Sequence, residues 1–306
     1  MRVRDVRGTT VRTAPADRIR LGVVVLTMGD RPAELAALLR SLSAQTGPPM
    51  RVVVVGNGTH LPALPPDVER IELPHNLGVS GGRNAALRRL RAHGDVDVVM
   101  YLDDDGLLPD RASAEKVRQA FAGDPRLGII SFRIADETGT TQRRHVPRLR
   151  ASDPLRASPV TTFLGGGSAV RMGVVEQTGD WPVDYFYAHE ETDVAWRALD
   201  AGWRIDYRPD ILLLHPRTSP TRHAVYYRLN ARNRVWLARR HLPATLIPIY
   251  LGMWVMITVM RHPSRAGLQA WFAGFVEGWR STCGSRRPIR WRTVWHMTRL
   301  GRPPIV

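Results

Sequence analysis

Short apolar runs rich in β-branched residues alternate with segments of helical period through the first half of the chain. Leu21-Gly-Val-Val-Val-Leu-Thr27 reads as a buried strand that stops at Met28-Gly29-Asp30-Arg31-Pro32. Pro32 suits the first turn of a helix, and Leu35, Leu38, Leu39 and Leu42 then recur at helical spacing through 33–45. A second strand follows over 51–55, ending at Gly56-Asn57-Gly58, and a short third over 71–73. Residues 82–93 read as a helix opened by Gly81-Gly82, and Val96–Leu102 as a fourth strand running into Asp103-Asp104-Asp105. Hydrophobic strands alternating with helices predict an α/β fold with a mostly parallel sheet covered on both faces. Ligands of such sheets sit beyond the carboxyl ends of the strands, where Thr27–Arg31, Gly56–Thr59 and Asp103–Asp105 all fall.

The second half is less regular. A helix is expected over 111–122, a strand over 127–134, and a long Arg-rich loop containing three prolines over 136–160. Gly165-Gly166-Gly167-Ser168 opens a new ordered segment; a helix over 190–201, strands over 203–207 and 211–214, and Arg-rich helices from 222 onward complete the reading. Three regions are expected: a flexible basic tail over 1–18, a catalytic domain over 19–240, and a helical, hydrophobic and basic extension over 241–306.

Charge narrows the partners without choosing among them. The 306 residues carry 44 Lys and Arg against 28 Asp and Glu, a formal charge of +16 that favours a polyanionic neighbour. The single cysteine, Cys283, excludes an intramolecular disulfide and fits a reducing compartment. The first eighteen residues hold five arginines and no apolar run, so they do not read as a secretory signal.

The acidic triplet is the sharpest chemical signal. Three consecutive carboxylates at a strand end repel one another unless a cation or donor groups neutralise them, and hard divalent cations take carboxylate oxygens. On an extended backbone Asp103 and Asp105 point the same way and share one ion or nucleotide; a solvated acidic turn is the alternative. A second cluster, His189-Glu190-Glu191-Thr192-Asp193, either complements a helix N-terminus or supplies a general base. Glycines before a helix in Asn76–Asn84 let backbone N–H groups approach an anion, and His215, after an apolar strand, is either a hydrogen-bonded core histidine or a third metal ligand.

Together these segments resemble the inverting family 2 glycosyltransferases with the GT-A fold. The resemblance runs from about Leu21 to about Leu242 and is carried by Val24–Thr27, Val54–Thr59, Asn76-Leu77-Gly78 with Gly82-Arg83-Asn84, Leu102–Asp105, Gly165–Gly167, Glu190–Asp193 with Trp196-Arg197, His215 and Arg232-Asn233. Within the family it looks closest to rhamnosyl- and galactofuranosyl-type transferases that build bacterial surface glycans. The resemblance implies a nucleotide-diphosphate sugar donor and a divalent metal, Mn2+ or Mg2+, held by Asp103, Asp105 and His215. It implies donor contacts from Thr27, Gly29, Asp30, Arg31, Asn57, Gly58, Asn76, Gly82, Arg83, Asn84, Asp103, Asp104, Gly166 and Gly167. Glu191 matches the expected base, with the choice among Glu190, Glu191 and Asp193 open because the usual Glu-Asp pair is Glu190-Glu191 here. Gly56 stands where the family usually has the Asp that binds the base.

Residues 242–260 contain no charged side chain, yet arginines flank them on both sides, which argues against a simple crossing and for a hairpin or in-plane segment. Trp271, Phe272, Phe275, Trp279, Trp291 and Trp295 alternate with arginines in the tail, a pairing suited to an anionic headgroup region. The expected setting is therefore cytoplasmic, at the inner face of the cell membrane, with a glycan or lipid-linked acceptor and no nucleic acid. Two rivals remain: a sugar-phosphate nucleotidyltransferase, whose early Gly- and Arg-rich signature Thr27–Pro32 lacks, and a non-catalytic basic membrane- or nucleic-acid-binding protein, which has no reason to gather two acidic clusters.

Overall fold

The computed structural model describes residues 2–4, 10–12, 15–149, 153–217, 224–261 and 264–305. Near the N-terminus β1 (Arg2–Arg4) pairs antiparallel with β2 (Thr10–Arg12), and Ala16–Arg18 form a 3-10 turn, so part of the expected tail is in regular structure; the rest of 1–14 lies outside the described residues.

The sheet follows the apolar runs. β3 (Leu21–Thr27), β4 (Arg51–Asn57), β5 (Val68–Leu73) and β6 (Val98–Asp103) are mutually parallel, linked through α1 (Pro32–Ser43) and α2 (Gly78–His93). After α3 (Ser113–Gly123), β7 (Leu127–Ala135) joins the second half of the sheet. β8 (Ser158–Pro159) is a two-residue edge strand within the expected loop, whose residues 150–152 lie outside the described residues. β9 (Gly167–Arg171) then runs antiparallel between β6 and β7, followed by α4 (Met172–Thr178), α5 (Glu190–Asp200) and β10 (Arg204–Leu214). The eight strands lie in the order β5-β4-β3-β6-β9-β7-β10-β8.

Each strand's alternation loads two cores. Val23, Val25, Val52, Val54, Met100 and Leu102 face α1 and α3, whereas Val24, Val53, Val55, Val99 and Tyr101 face α2, α4 and α5. A sheet buried on both faces explains why these runs are continuously apolar. The two strands expected over 203–207 and 211–214 form one, with a register shift against β7 between Arg208 and Leu212. Pro209 sits in that shift; it has no N–H for the ladder, so pairing breaks there without ending the strand.

The C-terminal part is four helices: α6 (Ala224–His241), α7 (Leu246–Met260), α8 (Arg265–Arg280) and α9 (Trp291–Arg299). Among the described residues no helix is long and apolar enough to cross a membrane. α8 packs along α6 because Gly274 and Gly278 have no side chains: a Cβ on Gly274 would overlap the Arg228 carbonyl, and one on Gly278 would come within 2.8 Å of the Arg232 carbonyl. α7 buries only Tyr250 and Leu251 among its fifteen residues and leaves Ile249, Met256, Val259 and Met260 exposed.

Two glycines on adjacent helices thus predict opposite outcomes. Gly274→Val should cost about 1–3 kcal/mol by forcing α8 off α6. Gly252→Ala, where nothing lies within 4 Å of a new Cβ, should gain up to about 1 kcal/mol from helix propensity. Urea denaturation of both variants checks the contrast.

Candidate active site

The carboxyl ends of β3 and β6 are adjacent in the sheet, and the acidic triplet opens where β6 stops. β6 ends at Asp103, and Asp104 and Asp105 lie in the turn that follows, closed by Gly106 N–H donating to the Asp103 carbonyl at 3.0 Å. Strand alternation therefore does not carry past Asp103, and the three carboxylates part company. Asp104 and Asp105 are both buried. Asp104 accepts a 2.5 Å bond from the Thr27 hydroxyl, whose oxygen also accepts from Gly29 N–H at 3.0 Å. Arg31 bonds Asp105 and lies 3.7 Å from Asp104. His215 Nε2 is 3.1 Å from the other Asp105 oxygen.

These partners split the electrostatics of neighbouring groups. Burial, joined by the charges of Asp105 and Asp103, pushes the Asp104 carboxyl above the ordinary range despite Thr27 and Arg31. Burial acts on Asp105 in the same sense, but the bond and charge of His215, with Arg31, outweigh it and lower its pKa. The bond to Asp105 raises His215 in return.

Asp103 faces a different element. A Cβ on Gly166 would overlap the Asp103 carboxylate, and a Cβ on Gly165 would overlap Glu191 Oε1 and come within 2.6 Å of the Arg83 guanidinium. The bare Gly165-Gly166 backbone therefore lies between the carboxylate at the end of β6 and the carboxylate in the first turn of α5. Arg83, buried on α2, lies 3.5 Å from Glu191 Oε1 and 4.6 Å over the Trp181 ring. Its Nη1 has no hydrogen-bond partner.

Glu190, one residue earlier, is 3% exposed, and its Oε2 has no partner. Burial first, then the adjacent Glu191 charge, pushes its pKa up to about 8, against a smaller opposing effect of Arg83. Asp193 points elsewhere. Its buried carboxylate accepts from Arg197 Nε at 2.6 Å and Tyr185 hydroxyl at 3.1 Å, and lies 2.6 Å from His241 Nε2. Burial would raise this carboxyl, but His241 and Arg197 hold it well below the ordinary range. Of the three expected base candidates, the structure sets Glu191 against the glycine turn, buries Glu190 behind it, and ties Asp193 into the contact between α5 and α6.

The remaining expected ligand contacts divide similarly. Thr27 and Arg31 sit on the acidic cluster. Buried Asn57 and Asn84 spend their side-chain amides inside the protein, whereas Asn76 is exposed: Asn57 donates to Asn76 Oδ1 at 2.8 Å and to the Gly78 carbonyl at 3.1 Å, and Asn84 exchanges two bonds with the Trp181 backbone. Gly82 permits α2 to press on Leu26, Gly58 takes a positive φ against Asn76, and Gly167 starts β9. Gly29 has a positive φ beside Thr59, and Asp30 is exposed. At Gly56 a Cβ would come within 2.5 Å of the Thr59 carbonyl, so the turn leaves no room for the acidic side chain the resemblance leads one to expect.

Sequence reasoning gave Asn233 no role, and the structure gives it a large one. Phe186, Ala188 and His189 all have positive φ just before α5, a costly backbone for residues with a Cβ. The buried Asn233 amide donates to the Tyr185, Tyr187 and Ala188 carbonyls at 2.8–2.9 Å and holds that shape. Its position after Arg232 on a polar stretch of helix offers no local signal of this.

The metal expectation rests on fewer groups than three. Among the described residues no set of three or more His, Cys, Asp or Glu side chains is disposed to hold an ion; Asp105 and His215 come together, and Asp103 lies against Gly166. The pair fits a divalent cation all the same. Asp105 Oδ1 is buried and faces His215 Nε2 at 3.1 Å, and a carboxylate with an imidazole is a donor set such ions accept, with water or phosphate oxygens completing the shell. A cavity of about 630 Å3 between α1 and the 47–68 segment shares no residue with this cluster.

Comparison with known proteins places this geometry. The mannosyltransferase PcManGT from Pyrobaculum calidifontis, solved with GDP-Man and Mn2+, superposes with a TM-score of 0.53 at 18% identity, covering 94% of this chain and 75% of that one. Residues 1–349 of S. aureus TarS, solved with UDP-GlcNAc, superpose with a TM-score of 0.57 at 13% identity, covering 90% of this chain and 83% of that one. The fold is the GT-A fold of glycosyltransferases. The sequence model of Glycosyl transferase family 2 matches residues 23–179, and the chain belongs to that family. The Pre-mycofactocin glycosyltransferase of Mycobacterium tuberculosis is 25% identical over 272 residues, covering 84% of this chain and 51% of its own; the chain spans about half the length of the curated relatives it matches.

Two predictions follow from the α5 entrance. Asn233→Ala removes the two amide N–H groups shared among the Tyr185, Tyr187 and Ala188 carbonyls and should cost about 1–3 kcal/mol, read by denaturant unfolding. Glu190 holds its proton more tightly folded than unfolded, so its contribution to stability is full below its ordinary pKa of 4.5 and is lost as pH rises to about 8. Wild-type unfolding free energy should therefore fall across that window more steeply than that of Glu190→Gln.

Proposed function

We propose that the protein transfers a sugar from a nucleotide-diphosphate sugar to an acceptor hydroxyl with inversion, using Glu191 as the base. One observation carries this reading: Asp103 lies against Gly166 and Glu191 against the adjacent Gly165, which brings the ends of β6 and α5 to one turn. The nucleotide–sugar complexes of the structural neighbours, GDP-Man in one and UDP-GlcNAc in the other, support the donor class.

Glu191 Oε1 takes the proton of the acceptor hydroxyl while that oxygen forms its bond to the anomeric carbon. The bond from that carbon to the diphosphate breaks on the opposite face, and the nucleoside diphosphate leaves with the electron pair. Arg83, 3.5 Å from Glu191, fixes the carboxylate's direction. Glu190 is less suited to the role, because its carboxyl is buried and Glu191 Oε1, not Glu190, is the carboxylate oxygen against Gly165. Asp105 and His215 would hold a divalent metal, Mn2+ or Mg2+, which when bound offsets negative charge on a departing diphosphate. Thr27 holds the Asp104 carboxylate and Arg31 that of Asp105.

The acceptor is proposed to be a glycan or lipid-linked intermediate met at an anionic membrane surface, on the cytoplasmic side. The support is chemical: α7 to α9 expose Ile249, Met256, Met260, Phe272, Trp279, Trp291 and Trp295, and exposed Arg261, Arg265, Arg280, Arg292 and Arg299 lie in the same segment.

Glu191→Gln should lower kcat about 10²–10⁴-fold with donor affinity retained, measured as nucleoside diphosphate release in the presence of acceptor. Asp105→Asn should abolish any Mn2+-dependent thermal shift by nucleoside diphosphates. Full turnover in Glu191→Gln would remove the base assignment, and release of free pyrophosphate would favour a nucleotidyltransferase.

A further inference from the structure

A second polar cavity lies behind α5, away from the acidic cluster. About 80 Å3 in volume, it is walled by Thr161 and Thr162, by His189, Thr192 and Trp196, and by Arg234, Tyr250, Trp254 and Arg302 with neighbouring residues of the C-terminal segment. Catalytic domain and helical extension meet around it.

Its walls carry positive charge without a counterion. Arg234 is 7% exposed; it donates to the Tyr250 hydroxyl at 3.0 Å, stacks 3.5 Å over the Trp254 ring, and leaves its Nε without a partner. Among the described residues neither Arg234 nor Arg302 pairs with a carboxylate; the charged groups that act on Arg234 include Arg261, and those on Arg302 include Arg234. His189 Nε2 and Trp254 Nε1 are also buried without partners. Burial, reinforced by the charge of Arg234, holds the His189 imidazole below its ordinary pKa, against the opposing effect of Asn230. A guanidinium buried without an anion, as that of Arg234 is, is costly, whereas unused donors beside two cations are what an oxyanion requires. At about 80 Å3 the space lies well below the roughly 300 Å3 of common small-molecule sites and admits a small group such as a tetrahedral oxyanion.

We propose that this cavity binds a phosphate group, held by Arg234 and Arg302 with donors from Trp254, Thr161 and Thr162. The site is separate from the transfer machinery, and neither proposal depends on the other. Two sources share the chemistry, a free phosphate and a phospholipid headgroup; the exposed apolar side chains of α7, the helix that supplies Tyr250 and Trp254, make a headgroup sterically reachable.

The test uses the full chain in phosphate-free buffer with EDTA at constant ionic strength. Inorganic phosphate should raise the wild-type melting temperature in a saturable way that matched chloride does not reproduce. Arg302→Gln should weaken phosphate at least tenfold, yet melt no lower than wild type without phosphate, because an uncompensated charge has been removed. Should Arg302→Gln fail to fold, Thr162→Val provides the second variant, with a several-fold loss expected. Glycerol 3-phosphate and monomeric dihexanoyl phosphatidic acid separate the sources: equal affinity assigns a free phosphate, and a much tighter lipid assigns a headgroup. A phosphate shift of equal size in wild type and variants, or no shift in wild type, overturns the proposal.

Discussion

The structure turns on a place where two carboxylates are brought close because nothing intervenes but backbone. Gly165 and Gly166 have no side chains, so Asp103 from the end of β6 and Glu191 from the start of α5 approach the same turn. Any Cβ there would drive one of them away, and the sheet and the helix would no longer share a site. Charge is managed on both flanks. Arg83 answers Glu191, while Arg31, Thr27 and His215 answer Asp104 and Asp105. Neighbouring acids consequently adopt unlike states: Asp105 is lowered, Asp104 raised, and Glu190 raised further by deeper burial.

A second constraint supports the first. Glu191 is where it is because Phe186, Ala188 and His189 take positive φ before α5 begins. That course is held from behind by Asn233 on α6, and α5 is fastened to α6 again through Asp193 and His241. α6 is thus part of the scaffold that shapes the entrance to α5. α8 in turn grips α6 through its glycines, and the phosphate-sized cavity lies where α5, α6 and α7 converge.

Much of this was legible in the chain. Strands buried on both faces announce themselves as unbroken Val and Leu runs, and β3, β4 and β6 lie close to where those runs do. The acidic clusters and the glycine triplet stood out because such residues are expensive unless something answers them. The order of these segments placed the chain with the family 2 glycosyltransferases, and the matched residues 23–179 and the GT-A fold agree. Less legible was the antiparallel β9, since five residues after three glycines carry too little periodicity to be told from a loop.

Local pattern, acting over a few residues, determined the elements, the parallel half of the sheet, and which side chains carry unusual chemistry. What each acid does was decided only by tertiary contact. The turn after Asp103 separated a triplet that an extended backbone would have aligned, and helix packing sent Asp193 to His241, Glu190 into the interior and Glu191 to the glycine turn. Protonation and pairing depend on burial and on charges far away in sequence, and no spacing along the chain encodes those distances.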